Sequence, residues 1–350
     1  MSESWDALST MAPALLFLCA AVPLAALLDE LGFFGAVAAA IERRFDQLPV
    51  VALWCLAAAT TAVLNLDTTI VLLTPLYVRL ARASGADPLG VALVPLLLAS
   101  FASCVLPVSN LTTLLVVERL DVRPAAVLVH LAPVSLVACT VGWWSYRRRH
   151  PEALPGTSHA PIDRRAVRIG SFVVAGLLVG FVVGPTLGIE PWFVTLVADV
   201  ALVLIPRRVP WRAGPLRTAR GNAALAVVVT AVVPADLLEG WLQRSSPLAL
   251  AATFGAGATT ANVVNNLPAT FIGLDSTAAM GPGLWAWLAG VNIGAALLPI
   301  GALANLLWWR ILRDEGVAID LPIYVRAVVP VALPAVVAAA ATVALLGFVW

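Results

Sequence analysis

Residues 60–75 read Thr60-Thr61-Ala62-Val63-Leu64-Asn65-Leu66-Asp67-Thr68-Thr69-Ile70-Val71-Leu72-Leu73-Thr74-Pro75, a polar break inside an apolar stretch that runs from 48 to 83. Arg43 and Arg44 precede the stretch, and Arg79 and Arg82 end it. Basic loops of membrane proteins face the cytoplasm, so both ends of 48–83 belong on one side. The Asn-Leu-Asp-Thr-Thr centre is polar enough to break a helix. A re-entrant hairpin meets both conditions: in from the cytoplasm, a turn at mid-membrane, and back out.

The rest of the chain supports a membrane setting. Of 350 residues, 61% are hydrophobic and 12% charged, and the mean hydropathy is +0.95. A soluble domain of this length needs a far more charged surface, and the apolar residues fall in long runs rather than stripes. A net charge of +1 gives no electrostatic case for nucleic acid. All the basic side chains are arginines, which excludes a lysine Schiff base or a coupling lysine. Cys19, Cys55, Cys104 and Cys139 are dispersed, with no CxxC or Cys/His cluster, so neither a metal site nor a disulfide framework is indicated and no cofactor is expected. No Gly-Lys-Ser/Thr phosphate loop occurs, so the chain is not expected to hydrolyse ATP itself. The N-terminus lacks the basic region of a cleaved signal peptide, and its first apolar run is expected to remain as a span.

Spans are expected near 9–28, 31–46, 124–146, 169–187, 189–206, 221–238 and 322–349, with interrupted stretches at 89–117, 246–276 and 284–309. The basic loops at Arg147–Arg168, Arg207–Arg220 and Arg310–Arg313 orient the chain. Treating 246–276 as a second hairpin, entered from outside with its tip at Asn262 to Pro268, leaves only Arg119, Arg123 and Arg244 outside among 21 basic residues. The result is an all-α polytopic inner-membrane protein with about nine full spans and two hairpins.

The polar breaks also recur. Thr60-Thr61-Ala62-Val63-Leu64-Asn65 aligns with Thr259-Thr260-Ala261-Asn262-Val263-Val264-Asn265, allowing one insertion, and 104–115 aligns without a gap to 296–307. Residues 1–146 are therefore read as a first repeat, 147–188 as a cytoplasmic linker and joining span, and 189–350 as a second, inverted repeat. Inverted repeats with interrupted segments at matching places point to a secondary transporter with its site at the midplane. A membrane scaffold subunit without a transport cycle is the alternative of another class, against which the paired breaks argue.

Broken helices at membrane depth expose amide N–H groups at one end and carbonyls at the other. Beside them lie neutral donors and acceptors: Asn65, Thr68, Thr69, Ser109, Asn110, Thr112, Asn265, Asn266, Thr270 and Asn305. Such a set suits a small polar solute rather than a hydrophobic one. Asp67 is the one carboxylate at a hairpin tip, and an intramembrane acid is a functional candidate by default. It is read as a proton or cation coupling group, or as a cap on the returning helix through the amide of Thr69 or Ile70. Asp199 reads as a structural pairing, a group in a local water pocket or a proton relay, His130 as a packed or hydrogen-bonded histidine, and Asp236 and Glu239 as interfacial. Tryptophans such as Trp143, Trp144, Trp211, Trp308 and Trp309 read as interfacial anchors, and 150–165 as a flexible connection.

At these motifs the sequence resembles the arsenite/antimonite permease family, within the ion-transporter superfamily that also holds citrate and dicarboxylate carriers and sodium/proton antiporters. The resemblance rests on Asn65 through Pro75, Val108-Ser109-Asn110-Leu111, Val264 through Thr270, and Leu298-Pro299-Ile300-Gly301-Ala302-Leu303-Ala304-Asn305-Leu306-Leu307-Trp308. The chain departs from the family pattern at Ser100 and at Gly294-Ala295-Ala296. The resemblance implies export of a trivalent metalloid as its neutral hydroxide, driven by protons or assisted by a partner ATPase. Carboxylate carriage and sodium/proton exchange are the alternatives within the superfamily.

Overall fold

The computed structural model describes residues 16, 17, 19–21, 23, 24, 26–45, 47–155, 163–204 and 237–347. The expected span at 221–238, Arg207–Arg220, Trp211 and Asp236 lie outside them, apart from the last two residues of that span. The protein is an all-α membrane protein. Among the described residues three helices are long and apolar enough to cross a membrane: Pro124–Arg147, Pro247–Val264 and Leu321–Leu346.

Helical residues between 16 and 30 form α1, followed by α2 (Phe33–Phe45). Next come the first pair of facing helices, α3 (Val50–Leu64) and α4 (Leu66–Ala83), separated by Asn65 alone. They fold back on each other. The Thr61 hydroxyl donates to Thr69 Oγ1 at 2.9 Å, and the Tyr77 hydroxyl donates to the Leu53 carbonyl at 2.6 Å. Each bond joins positions equally distant from Asn65, which is the contact pattern of a hairpin.

The first broken helix follows as α5 (Pro88–Phe101), an irregular stretch, a 3-10 turn at Pro107–Ser109, and α6 (Leu111–Arg119). Then come α7 (Pro124–Arg147), α8 (Arg164–Val183) and α9 (Pro191–Val203). After the short α10 (Glu239–Leu242), the order repeats: α11 (Pro247–Val264), Asn265, α12 (Asn266–Asp275), then α13 (Pro282–Gly294), 3-10 turns at Ala295–Leu297 and Pro299–Gly301, and α14 (Leu303–Asp314). The last helix, α15 (Leu321–Leu346), runs along α7.

Proline opens α5, α7, α9, α11 and α13 within their first turn, where its missing N–H leaves no intrahelical bond unmade. Small residues set the closest helix contact. A Cβ on Gly290 would stand 2.0 Å from the Phe254 carbonyl oxygen, and one on Gly294 would stand 2.3 Å from Ala258 Cβ. Only glycine lets α13 lie this close to α11, the packing mode that serves helices without a hydrophobic driving force between them.

The ends of the bundle are defined by contacts. At one end, Tyr146 in the last turn of α7 stacks on His150, the Tyr146 hydroxyl reaches the Gly90 carbonyl, the Val50 amide bonds the Glu152 carbonyl, and Arg82 pairs with Glu315. At the other, Arg119 pairs with Asp275, and the Leu238 amide reaches Ser276 Oγ. The mouth of the α3–α4 hairpin is thus at one end of α7, and that of the α11–α12 hairpin at the other.

Several expectations change. Ala153–Pro155 pairs antiparallel with Gln47–Pro49, burying Leu48 and Leu154, so the start of the 150–165 connection is an ordered clasp. Trp308 is no interfacial anchor: it is fully buried and its indole N–H donates to the Ala92 carbonyl. Trp144 does fit an anchor, half-exposed with the Arg148 guanidinium over its ring. His130 is packed as expected, stacked on Trp285 at 4.6 Å with Nδ1 at the Ala126 carbonyl.

Candidate functional site

Asn65 and Asn265 hold the same place in the two hairpins and the same unusual backbone. Their φ/ψ values are 110°/171° and 82°/154°. This region of positive φ and extended ψ is occupied almost only by glycine and costs about 1–3 kcal/mol per residue. Asparagine offsets part of that strain by capping the next helix. Asn65 Oδ1 accepts from the Thr68 amide at 2.9 Å, and Asn265 Oδ1 from the Leu267 amide at 3.3 Å. The cap of α4 is therefore Asn65, not Asp67. Asp67 sits in the first turn of α4 with neither hydrogen bond nor ion pair among the described residues.

The broken helices match as closely. Leu106 and Leu298 have φ/ψ of −125°/154° and −127°/155°, and Asn110 and Ala302 of −149°/133° and −145°/152°. Each extended residue before the proline needs a partner for its amide. Leu106 N–H donates to Ser109 Oγ, whose own proton goes to the Ala62 carbonyl on α3. Leu298 N–H donates to Asn262 Oδ1, whose amide group bonds the Ala258 and Gly294 carbonyls. A hydroxyl in one half and a carboxamide in the other thus tie each hairpin to the break beside it. Asn265 adds a second tie, from Nδ2 to the Ile300 carbonyl at 3.0 Å.

Of the ten polar candidates, all are buried, but many are already engaged. Thr69 and Thr270 donate to carbonyls one turn back, at Asn65 and Asn266. Asn110 caps α6 at the Thr112 amide, and its Nδ2 reaches Ser103 and Asn292. The Thr112 hydroxyl also donates to Asn292. Asn305 Nδ2 bonds the Ala295 and Leu298 carbonyls. Of these ten residues, the groups without a hydrogen-bonding partner among the described residues are Thr68 Oγ1, Asn305 Oδ1, Asn65 Nδ2 and the Asn266 side chain. Together with Asp67, these keep their capacity for a solute. No hydrogen bond joins Asn65 directly to Asn265 among the described residues. Asn292 and Asn262 are buried polar residues that sequence reasoning did not place among the site candidates. Asp199, on α9, is buried with Oδ1 unbonded among the described residues.

Two cavities flank the breaks. One, of about 580 Å³, is lined by Pro299, Leu306, Trp309, Arg310, Arg313 and Asp314. The other, of about 660 Å³, includes Pro107, Leu114, Val117, Glu118, Asp121 and Val122. In the register that aligns 104–115 with 296–307, these six positions correspond one to one. Arg310 and Arg313 stand where the other cavity has Glu118 and Asp121, so the charge is reversed.

The model of the CitMHS family, described as citrate transporter, matches residues 5–291. Similar curated proteins include the arsenical pump membrane protein of Yersinia enterocolitica, 28% identical over 377 residues that cover 97% of this chain and 86% of that protein. The arsenical pump membrane protein of Escherichia coli (strain K12) is 28% identical over 363 residues, covering 93% of this chain and 84% of the other.

Proposed function

The chain belongs to the citrate transporter (CitMHS) family and is a multi-pass membrane transporter; within that family we propose that it exports arsenite or antimonite across the inner membrane, coupled to the proton gradient. Residues 1–146 and 189–350 act as inverted repeats joined by 147–188. Solute binds at the paired breaks, through Asn65, Thr68, Thr69, Ser109, Asn110, Thr112, Asn265, Asn266, Thr270 and Asn305, with Asp67 as the coupling group. The observation that carries this reading is the recurrence of one strained, helix-capping asparagine at both hairpin tips.

The chemistry is compatible. Trivalent arsenic near neutral pH is an uncharged trihydroxide, which needs donors and acceptors rather than a fixed counter-charge. Thr68 Oγ1, Asn305 Oδ1 and the Asn266 carboxamide offer both. The names of the relatives support the same solute. The reversed cavities fit the direction. With the Arg82–Glu315 end cytoplasmic, Glu118, Asp121 and Glu190 place proton-accepting carboxyl groups, beside Arg123, at the outer mouth, where protons enter in an export cycle.

A carboxylate carrier is the second reading, favoured by the family model's description and by Arg310 and Arg313 beside the other cavity. The test is expression in an arsenite-sensitive host. A variant lacking all four cysteines should still protect, and Asn265→Ala or Asn266→Ala should not. A verifiably expressed wild type that gives no resistance, yet takes up citrate or exchanges sodium for protons, overturns the metalloid assignment and supports the alternative.

A further inference from the structure

Asn292 lies on α13, in the second half, yet every hydrogen bond of its side chain goes to the first half. Oδ1 accepts from Asn110 Nδ2 at 3.0 Å and from Thr112 Oγ1 at 2.6 Å, and Nδ2 donates to Thr113 Oγ1 at 3.2 Å. All four residues are buried. The three partners form the start of α6, the segment that resumes the first broken helix. Asn110 is in turn fixed by capping Thr112 and by reaching Ser103.

We propose that Asn292 is a positioning residue, through which the second half sets the orientation of Asn110 and Thr112 for the solute. The inference rests on the proposed function, because it takes the start of α6 as part of the solute site. Its physical basis is saturation. A planar carboxamide that meets three side chains at once fixes their rotamers, and a buried network with every member bonded is rigid. Within the aligned register, Asn292 corresponds to Ser100, whose shorter side chain makes no hydrogen bond among the described residues, so no counterpart of the clamp is found there in the other half. The first half therefore depends on the second for the order of its break, whereas the second half's break is ordered by its own Asn262 and Asn305.

The test is a double-mutant cycle with Asn292→Ala and Thr113→Val, whose hydroxyl meets Asn292 but is not among the solute-binding groups, in the full-length transporter, read as transport of radiolabelled arsenite and of citrate. Loss of the clamp should raise the half-saturating concentration about tenfold while leaving maximal rate per folded molecule nearly unchanged. The double variant should be little worse than Asn292→Ala alone, because both remove one interaction. A merely structural Asn292 would lower the yield of protein and leave half-saturation unmoved, and effects that multiply in the double variant would place the two residues on separate contacts. Either result overturns the proposal. Hydrogen exchange of 103–115 gives a readout independent of solute: Asn292→Ala should speed exchange there, and unchanged exchange would also overturn it. A wild type that moves neither solute defeats the proposed function, and the exchange result then still decides whether the clamp exists.

Discussion

The Tyr77 hydroxyl donates to the Leu53 carbonyl across the first hairpin, and both residues are fully buried. Leu53 and Tyr77 therefore lie at one depth, and the chain returns after Asn65 to the end from which it came. The position of Arg82 beside Glu315 extends this to the second half.

A topology follows from these contacts and the arginine distribution. Residues 84–88 and 146–168 should be cytoplasmic, and 118–123, 240–246 and the C-terminus at Trp350 external. Single cysteines placed in a cysteine-free background can be probed with an impermeant thiol reagent in intact cells. Labelling at position 87 from outside would sink the first hairpin.

The strained backbone at the tips predicts an inverted mutational order. Asn65→Ala and Asn65→Gly both delete the cap, but only glycine adopts φ 110° without penalty. Alanine should be the less stable of the two by about 1–3 kcal/mol, measured by unfolding in detergent, and the same order should hold at Asn265. Equal stability of the alanine and glycine variants would mean that the backbone there relaxes.

Most of this fold is legible in the sequence because a polar residue in an apolar run is costly and therefore conspicuous. Asn65, Asn110 and Asn265 all mark breaks for that reason. Asn292 is not conspicuous: it stands alone between Val291 and Ile293 inside an unbroken helix, and its partners lie far away in sequence. Trp308 and Trp309 look alike in sequence, since only the packing of α14 decides which ring faces inward. The clasp between Gln47–Pro49 and Ala153–Pro155 is short and non-local, and carries no periodic signal. Which of the polar candidates remain unbonded is likewise invisible until the helix ends are placed.

Acid should loosen the end of α7. Burial lowers the pKa of His150, opposed by the nearby Asp87 carboxylate and aided by Arg149. The folded protein thus favours the neutral ring, and the unfolded chain binds more protons as pH falls below the ordinary value of about 6.5. The stabilising contribution is complete above that pH and declines as pH falls towards the lowered folded pKa. Thermal unfolding of His150→Gln should lose less stability on acidification through this window than wild type. An identical pH profile for the two would remove His150 as the cause.

The Arg119–Asp275 pair, at 2.6 Å, joins the end of α6 to the end of α12 and so links the two halves. Asp275→Arg alone brings two guanidinium groups together and should lower transport. Combining it with Arg119→Asp restores opposite charges and should recover most of the loss. A double variant no better than the single would show that the pair is not a contact of the working protein.

Asp67 allows the sharpest test of coupling. Its neighbour Asn65 already accepts the Thr68 amide, so replacing Asp67 removes no side-chain cap from α4. Asp67→Asn also preserves shape, and the side chain it alters makes no hydrogen bond or ion pair among the described residues. What the variant loses is the ability to ionise. An intramembrane carboxylate is costly to keep, and binding a proton or cation is the role that requires one. We expect Asp67→Asn to reach the membrane at normal abundance and to unfold like wild type, while gradient-driven transport is abolished. Counterflow of solute at equal concentrations, which needs binding but no driving ion, should survive better than net export. Normal net transport by Asp67→Asn, with unchanged dependence on external pH, would move the coupling role elsewhere, with Asp199 and Glu118 the next carboxylates to replace.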